Sequence, residues 1–247
     1  MTKQEALSSA AQVFESAPYA SLEAITQGGP LLVLAPHPDD ESLGCGGLIA
    51  EACARGQHVR VVILTDGTGS HPNSRAWPPD RLKALREAEA QEAVAALGLA
   101  PEWLTFLGLR DRAAPHEGPE FETVAGEIAA VIRQARIRTV CTTWLHDPHP
   151  DHVAAHRLGT AATKATGARL LSYPIWGWML PADPSMAPNG AGVFRLDIKD
   201  RLPQKRRALA AHRSQTSNLI TDDPYGSRLP DELLAYFAQP YEVFLES

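Results

Sequence analysis

Two short segments of the chain are rich in imidazole and carboxylate side chains, the groups that often hold a catalytic metal ion. Residues 36–41 are Pro-His-Pro-Asp-Asp-Glu, and residues 146–152 are His-Asp-Pro-His-Pro-Asp-His. A catalytic Zn²⁺ takes three protein ligands of these types and leaves its fourth position to water. His37 and Asp40 can face one point from a single turn, and His152 can supply the third ligand. The two segments therefore predict a zinc site that activates water.

The first segment alone has a simpler explanation, in which it is only the start of a helix. Asp40 would then stabilise the helix dipole without binding any ion. A second segment of similar composition, also placed directly after a predicted core strand, favours the metal site.

The elements that must position these segments alternate between strands and helices. Residues 31–35 form a continuous apolar run of strand length, and residues 139–143 are rich in β-branched side chains. Further strands are predicted at residues 58–64, 102–107, 169–173 and 241–245. Helices are predicted at residues 44–55, between Asp80 and Gly98, and at residues 121–132, 152–166, 203–212 and 231–237. The Pro- and Gly-rich segment at residues 174–192 is predicted to form a lid over the site. The pattern predicts an α/β fold, a Rossmann-like three-layer sandwich with a mostly parallel sheet, as one domain over residues 1–247.

The expected sheet brings the two segments together. In open parallel sheets, ligands bind beyond the carboxyl ends of the strands, where the strand order reverses. With the common order 3-2-1-4-5, the loops after the first and fourth strands meet there, although about 110 positions separate them. Asp66 and Asp111 end neighbouring strands at the same edge, where each is either a contact to a substrate hydroxyl or a loop cap. Trp176 follows the fifth strand and is either a platform for a sugar ring or a core residue.

The composition excludes several classes of protein. The chain carries 23 Lys plus Arg against 29 Asp plus Glu, and its net charge of −6 lacks the basic excess needed to bind nucleic acid. No apolar run approaches the roughly 20 residues of a membrane span, and the N-terminus does not resemble a secretory signal. An odd count of three cysteines suits a reducing compartment. We expect a cytoplasmic protein whose partner is a small molecule, with homo-oligomerisation left open.

The paired motifs resemble those of the LmbE/PIG-L family of zinc-dependent de-N-acetylases. The resemblance rests on Pro-His-Pro-Asp-Asp-Glu at residues 36–41, Leu-Gly-Cys-Gly-Gly at residues 43–47 and His-Pro-Asp-His at residues 149–152, and it extends over residues 31–215. It implies zinc ligands at His37, Asp40 and His152, and a general base at Asp39. It also implies that His149 assists at the amide and that Asp151 orients His149.

Two weaker features are similar to the family pattern. Arg86 and Glu89 form an R-x-x-E spacing on the second predicted helix, and Gln215 ends the segment Ala-His-Arg-Ser-Gln at residues 211–215. These residues are candidates for contacts to the substrate or to the catalytic groups. On a helix, however, R-x-x-E more often marks an exposed ion pair.

The catalytic roles can also be argued from chemistry. Zinc brings the pKa of its bound water to about 7, so that hydroxide is available at neutral pH. Asp39 directly precedes a ligand, cannot easily bind the same ion from the same turn, and is better placed to take the proton of the water. An imidazolium at His149 suits the oxyanion that forms at the amide. Either residue could return a proton to the leaving amine.

We therefore expect a metal-dependent hydrolase that removes an N-acetyl group from an amino-sugar-like small molecule. The alternative enzyme, a metallohydrolase of a non-sugar N-acyl amide or ester, would use the same catalytic residues. A carbohydrate-binding module is disfavoured because binding needs no base. A Rossmann oxidoreductase is disfavoured because Gly44-Cys45-Gly46-Gly47 lacks the spacing of a dinucleotide loop, and these glycines instead predict close helix packing.

Overall fold

The computed structural model of the protein describes residues 10–180 and 192–247, and within them the chain forms a sheet of seven strands. The strands are β1 (Leu31–Ala35), β2 (Val59–Thr65), β3 (Leu104–Leu109), β4 (Thr139–Thr143), β5 (Arg169–Tyr173), β6 (Val193–Asp197) and β7 (Tyr241–Glu246). Their order across the sheet is β3-β2-β1-β4-β5-β7-β6. The first five strands pair in parallel, whereas β7 is antiparallel to both β5 and β6.

Helices cover both faces of the sheet. They are α1 (Ala10–Ser16), α2 (Leu22–Thr26), α3 (Asp40–Ala54), α4 (Pro79–Ala96), α5 (Gly118–Ala135), α6 (Pro150–Thr166), α7 (Leu202–Ala211), α8 (Arg213–Thr216) and α9 (Asp231–Phe237). Side chains alternate along β1, so Leu31 and Val33 pack under α3 while Leu32 and Leu34 pack under α5 and α6. Two cores, one on each face, therefore make three layers. None of the described helices is long and apolar enough to cross a membrane.

The predicted three-layer architecture and the strand order 3-2-1-4-5 are confirmed. The bounds of β1, β4, β5 and α9 agree with the sequence prediction, but α3 begins at Asp40 rather than at residue 44. The sequence prediction missed α1, α2 and β6, because two helices of seven and five residues show little periodicity and β6 is a short edge strand. Of the predicted lid, residues 181–191 lie outside the described residues, and a 3₁₀ turn occupies Trp176–Met179.

The pairing of β1 with β4 creates the edge that carries the chemistry. Leu31 lies opposite Thr139 and Leu34 lies opposite Thr142, so the loops after the two strands begin side by side. The glycines at the start of α3 allow this helix to pack closely, since a Cβ at Gly44 would overlap the Tyr173 ring and one at Gly47 would overlap Ile198. The prediction that these glycines serve packing is confirmed.

Candidate active site

The turn between β1 and α3 holds Asp39 in an unusual backbone conformation. Its φ of 156° and ψ of −28° lie in a region that residues with a side chain rarely adopt, at a cost of about 1–3 kcal/mol. The Asp39 amide donates to Glu41 Oε2 at 3.0 Å, and Glu41 Oε1 lies 3.2 Å from His212 Nε2. Arg86 donates to the Pro38 carbonyl at 2.8 Å. The strain is therefore held in place by buried contacts.

His37, Asp40 and His152 meet at this edge of the sheet. Asp40 Oδ2 lies 3.1 Å from His37 Nδ1 and 3.4 Å from His152 Nε2. A tetrahedral ion with ligand bonds of about 2.0–2.1 Å separates its ligand atoms by about 3.3 Å. His152 Nε2 is buried and has no hydrogen-bond partner among the described residues. The two spacings to Asp40 and this orphaned nitrogen are of the size that a metal ion requires, while the mutually close ligand atoms at this edge join His37 and His152 to His149 rather than to Asp40.

Further side chains that could bind a metal ion lie close to His37. The ligand atoms of His37, His149 and His152 lie within 4.8 Å of one another, and a second group joins His37 and His149 to Asp111 and Asp151. His37 Nε2 lies 3.1 Å from Asp151 Oδ2 and 3.4 Å from Asp111 Oδ1. The sequence reasoning gave His149 and Asp151 catalytic roles only, whereas the structure places His149 in both groups of potential ligands and Asp151 in the second.

The charges of this cluster are strongly interdependent. Burial by itself lowers the pKa of His152, but Asp40 and Asp147 raise it to about 9. Burial raises the pKa of Asp40, yet the positive charges of His152 and His37 hold it well below its usual range. Positive charge at this point is therefore stabilised by the surrounding carboxylates, as a metal site requires.

Asp147 is a functional candidate that the sequence reasoning missed. Its Oδ2 lies 3.0 Å from His152 Nδ1 and accepts the Ile175 amide at 3.0 Å, while its Oδ1 accepts the Gly177 amide at 2.6 Å. A carboxylate on the second nitrogen of a ligating imidazole fixes its tautomer and orientation. The available signal was its place in the same segment, five residues before His152 and soon after β4.

Asp39 and Arg86 form a buried ion pair. Arg86 Nη2 lies 3.0 Å from Asp39 Oδ2. Burial raises the pKa of Asp39 to about 6, against the opposing positive charge of Arg86. The interpretation of R-x-x-E as an exposed Arg86–Glu89 ion pair is wrong, because both residues are buried. Glu89 instead accepts hydrogen bonds from the amide and the hydroxyl of Ser214. Arg86 thus contacts a proposed catalytic group.

The surroundings of His149 differ from the expectation in two respects. The Asp151 carboxylate bonds the Arg112 amide at 2.6 Å and lies against His37, and His149 Nδ1 instead accepts the backbone amide of Asp151 at 3.2 Å. Any orienting contact therefore comes from the backbone of Asp151. Burial, together with the positive charges of His37 and His152, lowers the pKa of His149 to about 4. This lowering favours the neutral imidazole, whereas an imidazolium at the oxyanion was expected.

The residues proposed to contact substrate divide into two sets. Four of them line a cavity of about 180 Å³: Arg86, Asp111, Trp176 and Gln215. This cavity lies over the His/Asp cluster, by which we mean His37, Asp40, Asp111, His149, Asp151 and His152. Asp66 does not line it. The Asp66 carboxylate accepts the amide and hydroxyl of Thr68 at 3.0 and 2.8 Å, so the loop-cap alternative describes it and the substrate contact does not.

A mostly parallel α/β sheet with a buried carboxyl group and a His/Asp group of metal-ligand types at its switch point is typical of a metal-dependent hydrolase. The chain belongs to the PIG-L family: the family model described as GlcNAc-PI de-N-acetylase matches residues 32–163. The protein is accordingly an N-deacetylase, a hydrolase of amide C–N bonds.

Known relatives agree with this assignment. A 1D-myo-inositol 2-acetamido-2-deoxy-alpha-D-glucopyranoside deacetylase from Rhodococcus opacus is 30% identical, with 76% of this chain and 82% of the relative covered. The enzyme of the same name from Rhodococcus erythropolis is 33% identical, with 76% and 81% covered. The structure of N,N'-diacetylchitobiose deacetylase from Pyrococcus horikoshii shares the fold, with a TM-score of 0.63, 22% identity, and coverage of 87% of this chain and 78% of that chain.

Proposed function

We propose that the protein is a zinc-dependent N-deacetylase that removes the acetyl group from an amino-sugar-like small molecule. The observation that carries this proposal is Asp39, a buried carboxyl group with a pKa of about 6 beside a group of metal-ligand side chains. Amide hydrolysis needs such a base and a binding module does not. The named relatives act on a 2-acetamido sugar, which favours an amino sugar over a non-sugar N-acyl compound.

His37, Asp40 and His152 would hold the ion, which when bound supplies Lewis-acid chemistry by lowering the pKa of water and polarising an amide oxygen. Asp39 takes the proton of the attacking water, because a pKa near neutrality lets one carboxyl group both accept and release a proton. Arg86 keeps the Asp39 carboxylate in position from 3.0 Å. Asp39 then returns the proton to the amine nitrogen as the C–N bond breaks and acetate forms.

His149 donates a hydrogen bond to the carbonyl oxygen. Because its Nδ1 accepts the Asp151 amide, the neutral imidazole carries its proton on Nε2. Negative charge that develops on the carbonyl oxygen strengthens this bond and raises the pKa of His149 only during the reaction. A neutral donor can serve this purpose, although it lacks the charge of the imidazolium first expected.

The proposed location is the cytoplasm. Cys45, Cys53 and Cys141 are free thiols, and two of them are buried in the core. Thiols that stay reduced agree with a reducing compartment.

The test is amine release from methyl N-acetylglucosaminide by the zinc-loaded protein, together with metal analysis. We expect about one metal ion per chain, reversible loss of activity with a chelator, and loss of metal in His152→Ala. His156→Ala is the matched control, because His156 lies one turn further along α6 and contacts Thr143 rather than the cluster. Activity in carefully prepared metal-free protein, or no amine release from any N-acetyl sugar, would overturn the proposal.

A further inference from the structure

Two arginines stand at the mouth of the active-site cavity. Arg112 and Arg228 both line it and both are exposed. Within the described ranges, neither guanidinium group has a protein hydrogen-bond or ion-pair partner. Arg86, the third arginine of the lining, is by contrast buried and bonded to Asp39. The mouth therefore carries two cationic groups that no residue of the described ranges neutralises.

The backbone conformation and hydrogen bonds of its turn fix the position of Arg112. Its φ of 65° is left-handed, which is uncommon for a residue with a side chain and typical of strained functional sites. The Arg112 amide donates to Asp151 Oδ2 at 2.6 Å and the Ala114 amide donates to Asp151 Oδ1 at 3.1 Å. This turn, anchored on a residue of the His/Asp cluster, keeps Arg112 beside His149.

The position of Arg228 is fixed from both sides. The Ser227 amide donates to the Ser70 carbonyl at 2.7 Å, and the Leu229 amide donates to the Gln215 carbonyl at 2.9 Å. Ser70 and Gln215 are both buried residues of the cavity wall. The backbone around Arg228 is thus bonded to the wall, while its side chain has no partner in the part of the chain that the structure describes.

The acidic groups of the cavity do not compete for these arginines. Asp39, Asp40 and Asp111 are the acidic residues of the described lining, and all three are engaged at its floor. Asp39 pairs with Arg86, Asp40 bridges His37 and His152, and Asp111 accepts the Gly69 amide at 2.9 Å. Positive charge at the mouth therefore faces solvent and whatever part of the substrate extends there.

The size of the cavity determines which part of the substrate reaches the arginines. At about 180 Å³ it is smaller than the roughly 300–1,000 Å³ of typical small-molecule sites. It can enclose the acetamido end of a substrate, and a neighbouring cavity of about 260 Å³ that shares Arg112, His149 and Trp176 offers room for the remainder beside Arg112. Arginine binds phosphate and carboxylate groups through paired, charge-assisted hydrogen bonds.

We propose that the substrate is an N-acetylamino sugar carrying an anionic group, phosphate or carboxylate, and that Arg112 and Arg228 select it by binding that group at the mouth of the cavity. This inference rests on the proposed deacetylase function. It assigns to the two arginines the choice among substrates, while the His/Asp cluster performs the same chemistry on all of them.

The test compares kcat/KM of the zinc-loaded protein for anionic and neutral substrates. The anionic probes are N-acetylglucosamine 1-phosphate, N-acetylglucosamine 6-phosphate and N-acetylmuramic acid, which separate phosphate from carboxylate, and the neutral probe is methyl N-acetylglucosaminide. We expect at least one anionic probe to be preferred by 10-fold or more at low salt, with the preference falling as ionic strength rises. Arg112→Gln and Arg228→Gln should each lower this ratio about 3- to 5-fold, with Arg112→Lys retaining part of it.

Arg207→Gln is the matched control, since Arg207 is exposed on α7 and lies outside the cavity lining. Its ratio should equal that of the unmodified protein. Arg228→Gln keeps the inference testable if Arg112→Gln disturbs its strained turn. Equal kcat/KM for anionic and neutral probes, or a ratio that neither Gln variant changes, overturns this inference and leaves the deacetylase function standing. Hydrolysis of none of the probes overturns both.

Discussion

The stability of metal-free Asp39→Asn, relative to the unmodified protein, should increase as the pH rises. The same substitution should remove the activity of the zinc-loaded enzyme. Burial raises the pKa of Asp39 from 3.8 to about 6, against the attraction of Arg86. Between these values the native state keeps a proton that the unfolded state has lost, so stability decreases with rising pH in this window. Each pKa unit corresponds to about 1.36 kcal/mol, so ionised Asp39 costs the native state about 3 kcal/mol above pH 7. An amide at this position cannot ionise and does not pay that cost.

The free energy of unfolding should therefore differ between the two proteins in a pH-dependent way. From the pKa of Asp39 alone, the advantage of Asp39→Asn grows from about 0.5 kcal/mol at pH 4 to about 3 kcal/mol at pH 7.5. Urea denaturation of chelator-treated protein across this range measures the difference. Asp200→Asn is the control, since Asp200 is exposed and should give no such trend.

The same variant tests the catalytic role. Loaded with zinc, Asp39→Asn should keep its metal and lose about 10²-fold or more in kcat, because asparagine cannot accept the proton of water. A stability difference that does not change with pH would refute the argument that burial tunes this carboxyl group. Retained activity would refute its role as base, and loss of metal would make Asp39 a ligand.

Three further variants test other groups of the protein. His149→Ala should lower kcat by about 10²–10³ with KM and metal content near those of the unmodified enzyme, as kinetics and metal analysis will show; a raised KM with unchanged kcat would mean that His149 only positions substrate. Asp147→Asn should weaken zinc binding by about 10–100-fold in a chelator competition, whereas Asp66→Asn, which alters only a loop cap, should not. Lys205→Met should lower the free energy of unfolding, measured by urea denaturation, by about 3–5 kcal/mol, because it leaves the buried Glu242 carboxylate without its cation. A change below 1 kcal/mol would mean that the two backbone amides bonded to Glu242 are enough to stabilise its charge.

The parts of the fold that could be predicted are those whose signal is local. The apolar run of β1 and the β-branched run of β4 are buried on both sides, so their composition alone marks them as central strands, and their bounds agree with the structure. Helix α5 buries only one face, so its apolar residues recur at helical spacing and mark it equally well. The edge strand β6 and the five-residue helix α2 carry no comparable signal, since they are defined by what they pair or pack with.

Part of the site could be predicted from the sequence, and part of it could not. His37, Asp40 and His152 could be proposed as ligands because two short motifs follow two strands that an α/β sheet places side by side, and the structure brings their ligand atoms together. Roles that depend on which atom faces which partner could not be predicted. The Asp151 carboxylate contacts His37 rather than His149, and Asp66 caps a loop, although motif and position suggested otherwise.

The sequence by itself determined the kind of chemistry, because side-chain type and strand-end position are properties of the chain read in order. Only the tertiary structure decided how that chemistry is tuned. Burial raises the pKa of Asp39 and lowers that of His149, and Arg86 reaches Asp39 from a helix 47 residues away in the chain. Desolvation and charge pairing depend on distances between segments that sequence order does not specify. For this reason the ligand types could be named from the motifs, whereas the protonation states required the folded protein.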